Sequence, residues 1–123
     1  MSRKREKARA FGLRAETLAA FWLRLKFYRI VARNFSAPGG EIDIVAQRGD
    51  TIAFVEVKAR PQLDQAQMAI DTAKVRRISR AAGFWLSSHR WAAKGVLRGD
   101  AVFIAPGRWP LHVEAAFTLD LFV

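Results

Sequence analysis

The chain has 123 residues, room for one domain with a real core and little for a second. Hydrophobic residues are 51% of it, yet no run of about 18 or more uncharged apolar residues occurs, so a membrane span is not expected. Lys and Arg number 21 against 11 Asp and Glu, a net charge of +10. A domain that basic most often meets a polyanion, with nucleic acid ahead of acidic membrane or acidic protein.

Cysteine is absent, so disulfides and Cys-based metal sites are excluded, and a reducing, cytoplasmic location is the expectation. The N-terminus, MSRKREKARA, is basic but lacks the apolar stretch of a secretory signal. Residues 1–10 are expected to form a flexible basic arm, and residues 11–123 the folded domain. A helix should follow over Leu13–Phe27. Leu18, Phe21, Trp22 and Leu25 repeat at i, i+3, i+4 and i+7 as one apolar stripe; Leu13, Ala20, Leu23 and Phe27 form a second, with Glu16 inside it.

Tyr28–Phe35 alternates and is rich in β-formers, so it reads as a strand, ended by the turn residues 36–40 (SAPGG). Strands over Glu41–Arg48 and Thr51–Arg60 then flank Gly49-Asp50, which suits a two-residue hairpin loop with glycine at positive φ. Pro61 stops the third strand, and Leu63–Ala69 is either loop or the lead-in to a helix. That helix is expected over Asp71–Ser87, with Asp71 as N-cap and Val75, Ile78, Ala82, Trp85 and Leu86 on its buried side. Ser87–Gly95 reads as a connection, and Asp100–Ala105 and Leu111–Phe117 as two late strands. The order αβββαββ gives a single-domain α/β sandwich, a central mixed β-sheet flanked by helices.

The hairpin carries charges inside two apolar strands. With Gly49-Asp50 as the loop, Arg48 lies opposite Thr51, and the register carried back sets Asp43 opposite Glu56 and Glu41 opposite Lys58. Alternation groups Ile42, Ile44 and Ala46 on one face and Glu41, Asp43 and Val45 on the other. Opposed carboxylates repel, and at an effective dielectric near 20 the cost reaches up to roughly 4 kcal/mol. A divalent cation between them would relieve it, and hard oxygen ligands suit Mg²⁺ or Mn²⁺. The competing reading is a solvated sheet face with a Glu41–Lys58 ion pair; the acid–acid opposition, which such a ladder would avoid, favours a site.

Asp43, twelve intervening residues, then Glu56-Val57-Lys58 resembles the PD-(D/E)XK nuclease superfamily. More narrowly, GEIDIVA followed by FVEVKAR looks like the YraN-like family, which is similar to archaeal Holliday-junction resolvases. The resemblance runs over most of the chain beyond the arm, taking in Glu16, the hairpin, Lys74, His112 and Ala116-Phe117. It implies a restriction-endonuclease-like fold in which Asp43 and Glu56 ligate a metal that holds the scissile phosphate and the attacking water. Lys58 would orient or deprotonate that water, or stabilise charge growing on the phosphorane. Glu16 matches a first-helix glutamate that adds a further carboxylate, with a capped or surface glutamate as the alternative. Lys74 matches a second-helix lysine and would touch DNA backbone, or simply decorate the helix. Ile42 stands where the superfamily's name has proline. Gly99 stands where relatives carry an aromatic, so Asp100 is not counted with the site.

Elsewhere the chemistry is sparse. His89 and His112 lack metal-ligand spacing and read as surface or core residues. Trp85, Trp91 and Trp109 would suit unpaired bases, although Trp85 belongs to a core-facing helix side. Arg76, Arg77, Arg80 and Arg60, with the N-terminal arm, are candidate nucleic-acid contacts that would position DNA without reading its sequence. The expected function is thus a Mg²⁺- or Mn²⁺-dependent endonuclease-like protein acting on DNA, branched forms included. The alternatives are a non-catalytic nucleic-acid-binding protein with a degenerate nuclease fold, and a partner in a larger repair assembly. A homodimer would suit the symmetric strands of a junction.

Overall fold

The structure, a computed structural model, describes residues 3–61 and 70–121, with side chains described from Arg14 onward. Among the described residues, two helices and five strands follow in the expected order: α1 (Arg3–Leu25), β1 (Arg29–Ala37), β2 (Gly40–Arg48), β3 (Thr51–Ala59), α2 (Thr72–Ser88), β4 (Val96–Ile104) and β5 (Leu111–Phe117). A short 3₁₀ turn, Arg90–Lys94, lies in the α2–β4 connection. The strands form one mixed sheet in chain order. Only β3 and β4 run parallel, because α2 carries the chain back across the sheet between them.

The hairpin register is the expected one: Arg48 lies opposite Thr51 and Ile44 opposite Val55, and Gly49 turns at φ 58. Asp71 caps α2 as expected, its carboxylate accepting from the Lys74 N–H at 2.8 Å. Three boundaries differ. α1 starts at Arg3, so residues 3–10, expected as an arm, carry helical backbone; Arg, Lys, Glu and Ala are strong helix formers and extend the turn toward the N-terminus. β4 starts at Val96, because its pairing with β3 runs unbroken from Thr51 to Ala59 and overrides the weak strand pattern of VLRG. β1 runs on to Ala37, beyond the expected stop at Phe35, paired with β2 through the turn at Gly40. The segment Leu63–Ala69 lies outside the described residues.

Each sheet face has its own core. Ala15, Ala19, Ala20 and Leu23 of α1 pack on Ile44, Ala46, Ala53, Val55, Val102 and Ile104. Ile78, Ala81, Ala82 and Trp85 of α2 pack on Ile42, Val45, Ile52 and Phe54. The small residues of α1, rather than either apolar stripe as a whole, are therefore its buried face; Leu18, Phe21 and Leu25 are exposed. Ile42 packs with α2 and Ile44 with α1, although strict alternation places both on one face. The cause lies on β1. Asn34 takes a left-handed φ of 53, Arg33 on one side of it reaches Thr17 of α1, and Phe35 on the other packs toward α2. Arg33 pairs with Ile44 and Phe35 with Ile42, so both strands turn at the level of Asp43. Asn tolerates that conformation better than most residues.

Candidate functional site: a carboxylate and lysine cluster where two strands part

Pairing between β2 and β3 ends at Ile44 and Val55, one step before Asp43 and Glu56 would meet. Beyond that point the Asp43 carboxylate takes the place of a backbone rung, accepting the Val57 N–H through Oδ2 at 2.8 Å. The direct opposition expected from the register is thus replaced by a splay, with Asp43 filling the gap between the strands. Lys58 pairs with Glu56 rather than with Glu41.

Glu56 follows Phe54 in alternation and points toward α2, only 3% exposed. One of its oxygens, Oε1, meets Lys58 Nζ at 3.3 Å and Lys74 Nζ at 3.4 Å. Burial, reinforced by the charge of Asp43, pushes the Glu56 carboxyl up to about 7, against the opposing pull of Lys74 and Lys58. Glu16 comes from the other face, on α1. Burial raises its pKa too, with Asp43 adding repulsion and a shared hydrogen bond, while Arg33 and Asn34 act to lower it. Asp43 therefore links a carboxylate of the α1 layer to one of the α2 layer.

Carboxylate oxygens are the donor set of hard divalent cations. Two carboxylates held above their ordinary pKa beside Asp43 are short of positive charge, which a cation would supply. Among the described residues, however, no three His, Asp or Glu side chains converge closely enough to enclose an ion. Occupancy would require Glu16 or Glu56 to move toward Asp43, and Glu56 to loosen from its lysines.

The family model for the uncharacterised protein family UPF0102 matches residues 15–104, the span that holds Glu16, Asp43, Glu56, Lys58 and Lys74. The chain belongs to the UPF0102 family. A UPF0102 protein of Methylocella silvestris is 61% identical over 109 residues, covering 89% of this chain and 88% of that one. One from Methylobacterium nodulans is 55% identical over 119 residues (97% and 92% covered), and one from Brucella canis 50% identical over 121 (96% of each). This is the YraN-like family that the hairpin motif resembles.

Of the remaining sequence candidates in this UPF0102 chain, Lys74 joins the cluster, and no contact with it is seen for the four arginines. Arg76, Arg77 and Arg80 are exposed on α2, where Arg76 and Arg80 line a groove with Ser79 and Asp120. Arg60 is exposed just past β3, its guanidinium donating to the Ala59 carbonyl at 2.7 Å. Lys74 sits on Glu56 and is half-buried. Among the described residues no helix is long and apolar enough to cross a membrane.

A second polar group went unread in the sequence. Asp100 is fully buried in the α1 layer, where Arg98 grips it through two nitrogens at 2.7 and 2.8 Å. His112 Nε2 and the Ala115 N–H complete its shell at 2.8 and 3.0 Å. Lys26 contacts His112 Nδ1, and lysine can only donate, so Nδ1 accepts and Nε2 donates its hydrogen to Asp100. Burial works to raise the Asp100 carboxyl, but the bonds from His112, Arg98 and Ala115 outweigh it and hold it near 2. Arg98 is raised in turn, chiefly by its bond to Asp100. These partners face one another, so the network ties β4 and β5 to Lys26 in the turn after α1. The two-residue spacing of Arg98 and Asp100, on one face of a strand, was the available signal.

Proposed function

We propose that this UPF0102 protein is a divalent-metal-dependent nuclease that hydrolyses phosphodiester bonds in DNA. The observation that carries the reading is the grouping of Glu16, Asp43 and Glu56 with Lys58 where β2 and β3 part. Asp43 and Glu56, with Glu16 beside Asp43, would hold Mg²⁺ or Mn²⁺. Such an ion, when bound, polarises a phosphate oxygen and acidifies a water. The chain's own residues do the rest. Lys58, held against Glu56, is in place to orient the attacking water or to meet charge developing on the phosphorane. Lys74, anchored by the Asp71 cap, fixes Glu56 from the side of α2. The net charge of +10 draws the polyanionic substrate, and the exposed arginines of α2 offer it phosphate contacts.

A second reading, nucleic-acid binding without cleavage, is favoured by two features: both lysines already occupy Glu56 Oε1, and no three-carboxylate cage is formed among the described residues. Duplex, forked and four-way DNA incubated with Mg²⁺ or Mn²⁺ separates the two. Cleavage by the wild type that Asp43→Ala and Lys58→Ala each reduce at least a hundredfold is the expected result. Retention of all three DNAs with no metal-dependent cutting of any would replace the nuclease by the binding protein.

A further inference from the structure

α1, the residues after it and the β4–β5 turn present aromatic rings that are largely open to solvent. Trp109 is 81% exposed, and its ring lies over Trp22 with centroids 5.7 Å apart and a tilt of 31°. Phe21 and Leu25 are exposed on the same helix, and Phe21 continues into a groove lined by Arg14, Thr17 and Leu18. Phe27, 87% exposed, lies two residues past the end of α1.

Phe27 is the most costly of these. Its N–H donates to the Arg24 carbonyl and the Tyr28 N–H to the Leu23 carbonyl, closing α1 in a Schellman motif with Phe27 at φ 70. Glycine is usual at that position because a Cβ strains it, and a bulky aromatic there is an outlier. Phe27 thus bears a backbone strain and an exposed ring, and neither helps the fold. Strain that the fold does not need is a pointer to function.

The charge around the rings narrows the partner. Exposed cations interleave with them, Arg14 and Arg24 on α1 and Arg108 beside Trp109. Of the nearby acids, Glu16 is turned toward Asp43 and Glu114 is paired with Arg48 and Arg98. A second copy would bring another +10 to this surface. A polyanion that carries flat apolar faces answers both the charge and the rings.

We propose that this face is a stacking platform for the unpaired bases of single-stranded nucleic acid. Every base has a π-face, so aromatic rings with arginines between them bind a single strand without regard to sequence. α1 bears both Glu16 and Trp22, about 9 Å of helix rise apart. On the nuclease reading, on which this part rests, the substrate is DNA with a single-stranded segment next to the cleaved bond.

The test uses the full chain in EDTA, with labelled oligo(dT), an abasic strand of equal length, and duplex DNA. Oligo(dT) is expected to bind and quench tryptophan fluorescence, with the abasic strand weaker. Trp109→Ala and Phe27→Gly should each weaken oligo(dT) binding on the order of tenfold. Phe27→Gly should melt at or above the wild-type temperature, since it relieves the strain. Wild-type protein that binds oligo(dT) in EDTA yet cuts no DNA when Mg²⁺ or Mn²⁺ is added would show failure of the nuclease reading with stacking intact. Equal affinity for the abasic strand overturns the platform, as does an inert Trp109→Ala. A concentration-dependent dimer in sedimentation that the same substitutions dissolve would make the occupant a second copy and also overturn it. Phe27→Gly melting below the wild type would return Phe27 to the fold and remove it from the platform.

Discussion

Burial makes Glu56 hold its proton to higher pH in the folded chain than in the unfolded one. Its folded pKa of about 7 stands above the ordinary 4.5, so the associated stability is fully present below pH 4.5 and is lost as pH rises through 7. Glu56→Gln should flatten that slope and gain stability at pH 8 relative to the wild type, by up to roughly 2–3 kcal/mol, read by urea unfolding across pH. Mg²⁺ should raise the wild-type melting temperature most above pH 7 and have no such effect on Asp43→Asn. Asp100 has the opposite sign. Held near 2 against an ordinary 3.8, it contributes stability that is present above 3.8 and disappears as pH falls through 2. Asp100→Ala would leave Arg98 and His112 facing a buried gap, and should cost about 3 kcal/mol or more at pH 7. A loss below 1 kcal/mol would mean that the network is not a tie between β4, β5 and the turn after α1.

The elements hold the site through one close approach. A Cβ on Gly40 would stand 1.9 Å from the Arg77 carbonyl oxygen, so β2 meets the backbone of α2 there with no room for a side chain. Gly40→Ala must push α2 away from the sheet, and with it Lys74 from Glu56. The expected cost is about 1–3 kcal/mol, with cleavage falling in step. Gly83, in the middle of α2, is the contrast: its Cβ would meet nothing within 4 Å, so Gly83→Ala should stabilise by about 0.5–1 kcal/mol. Thermal melts of the two variants should move in opposite directions. The sequence made the element order, the hairpin register and the Asp71 cap legible because each rests on local chemistry: alternation, a Gly-Asp turn, an acidic cap. It hid the splay at Asp43. That depends on the left-handed turn at Asn34, on a neighbouring strand, and alternation read along β2 alone places Ile42 on the wrong layer.

Across the whole molecule, the same division separates what a single chain reads out from what only packing decides. Asp43, Glu56 and Lys58 were legible as a group because the hairpin joins them, and Glu16 through its resemblance to a first-helix glutamate. The Arg98–Asp100–His112 network joins β4 to β5 and to Lys26 after α1, and the exposure of Leu18, Phe21 and Leu25 follows from which side of α1 meets the sheet; neither is a local property. Net charge, by contrast, acts at long range and needs no packing to be read. If Arg76, Arg77 and Arg80 meet phosphates, each displaces condensed counterions, and the logarithm of the duplex-binding constant should fall steeply against the logarithm of salt concentration. Replacing all three by alanine should shrink that slope by about 2–3 units, since each lost phosphate contact removes roughly 0.9. All three side chains are exposed, so the melting temperature should hold while affinity at low salt drops. Titrations of a labelled duplex at several salt concentrations read the slope directly. An unchanged slope with unchanged stability would move the duplex contact off α2.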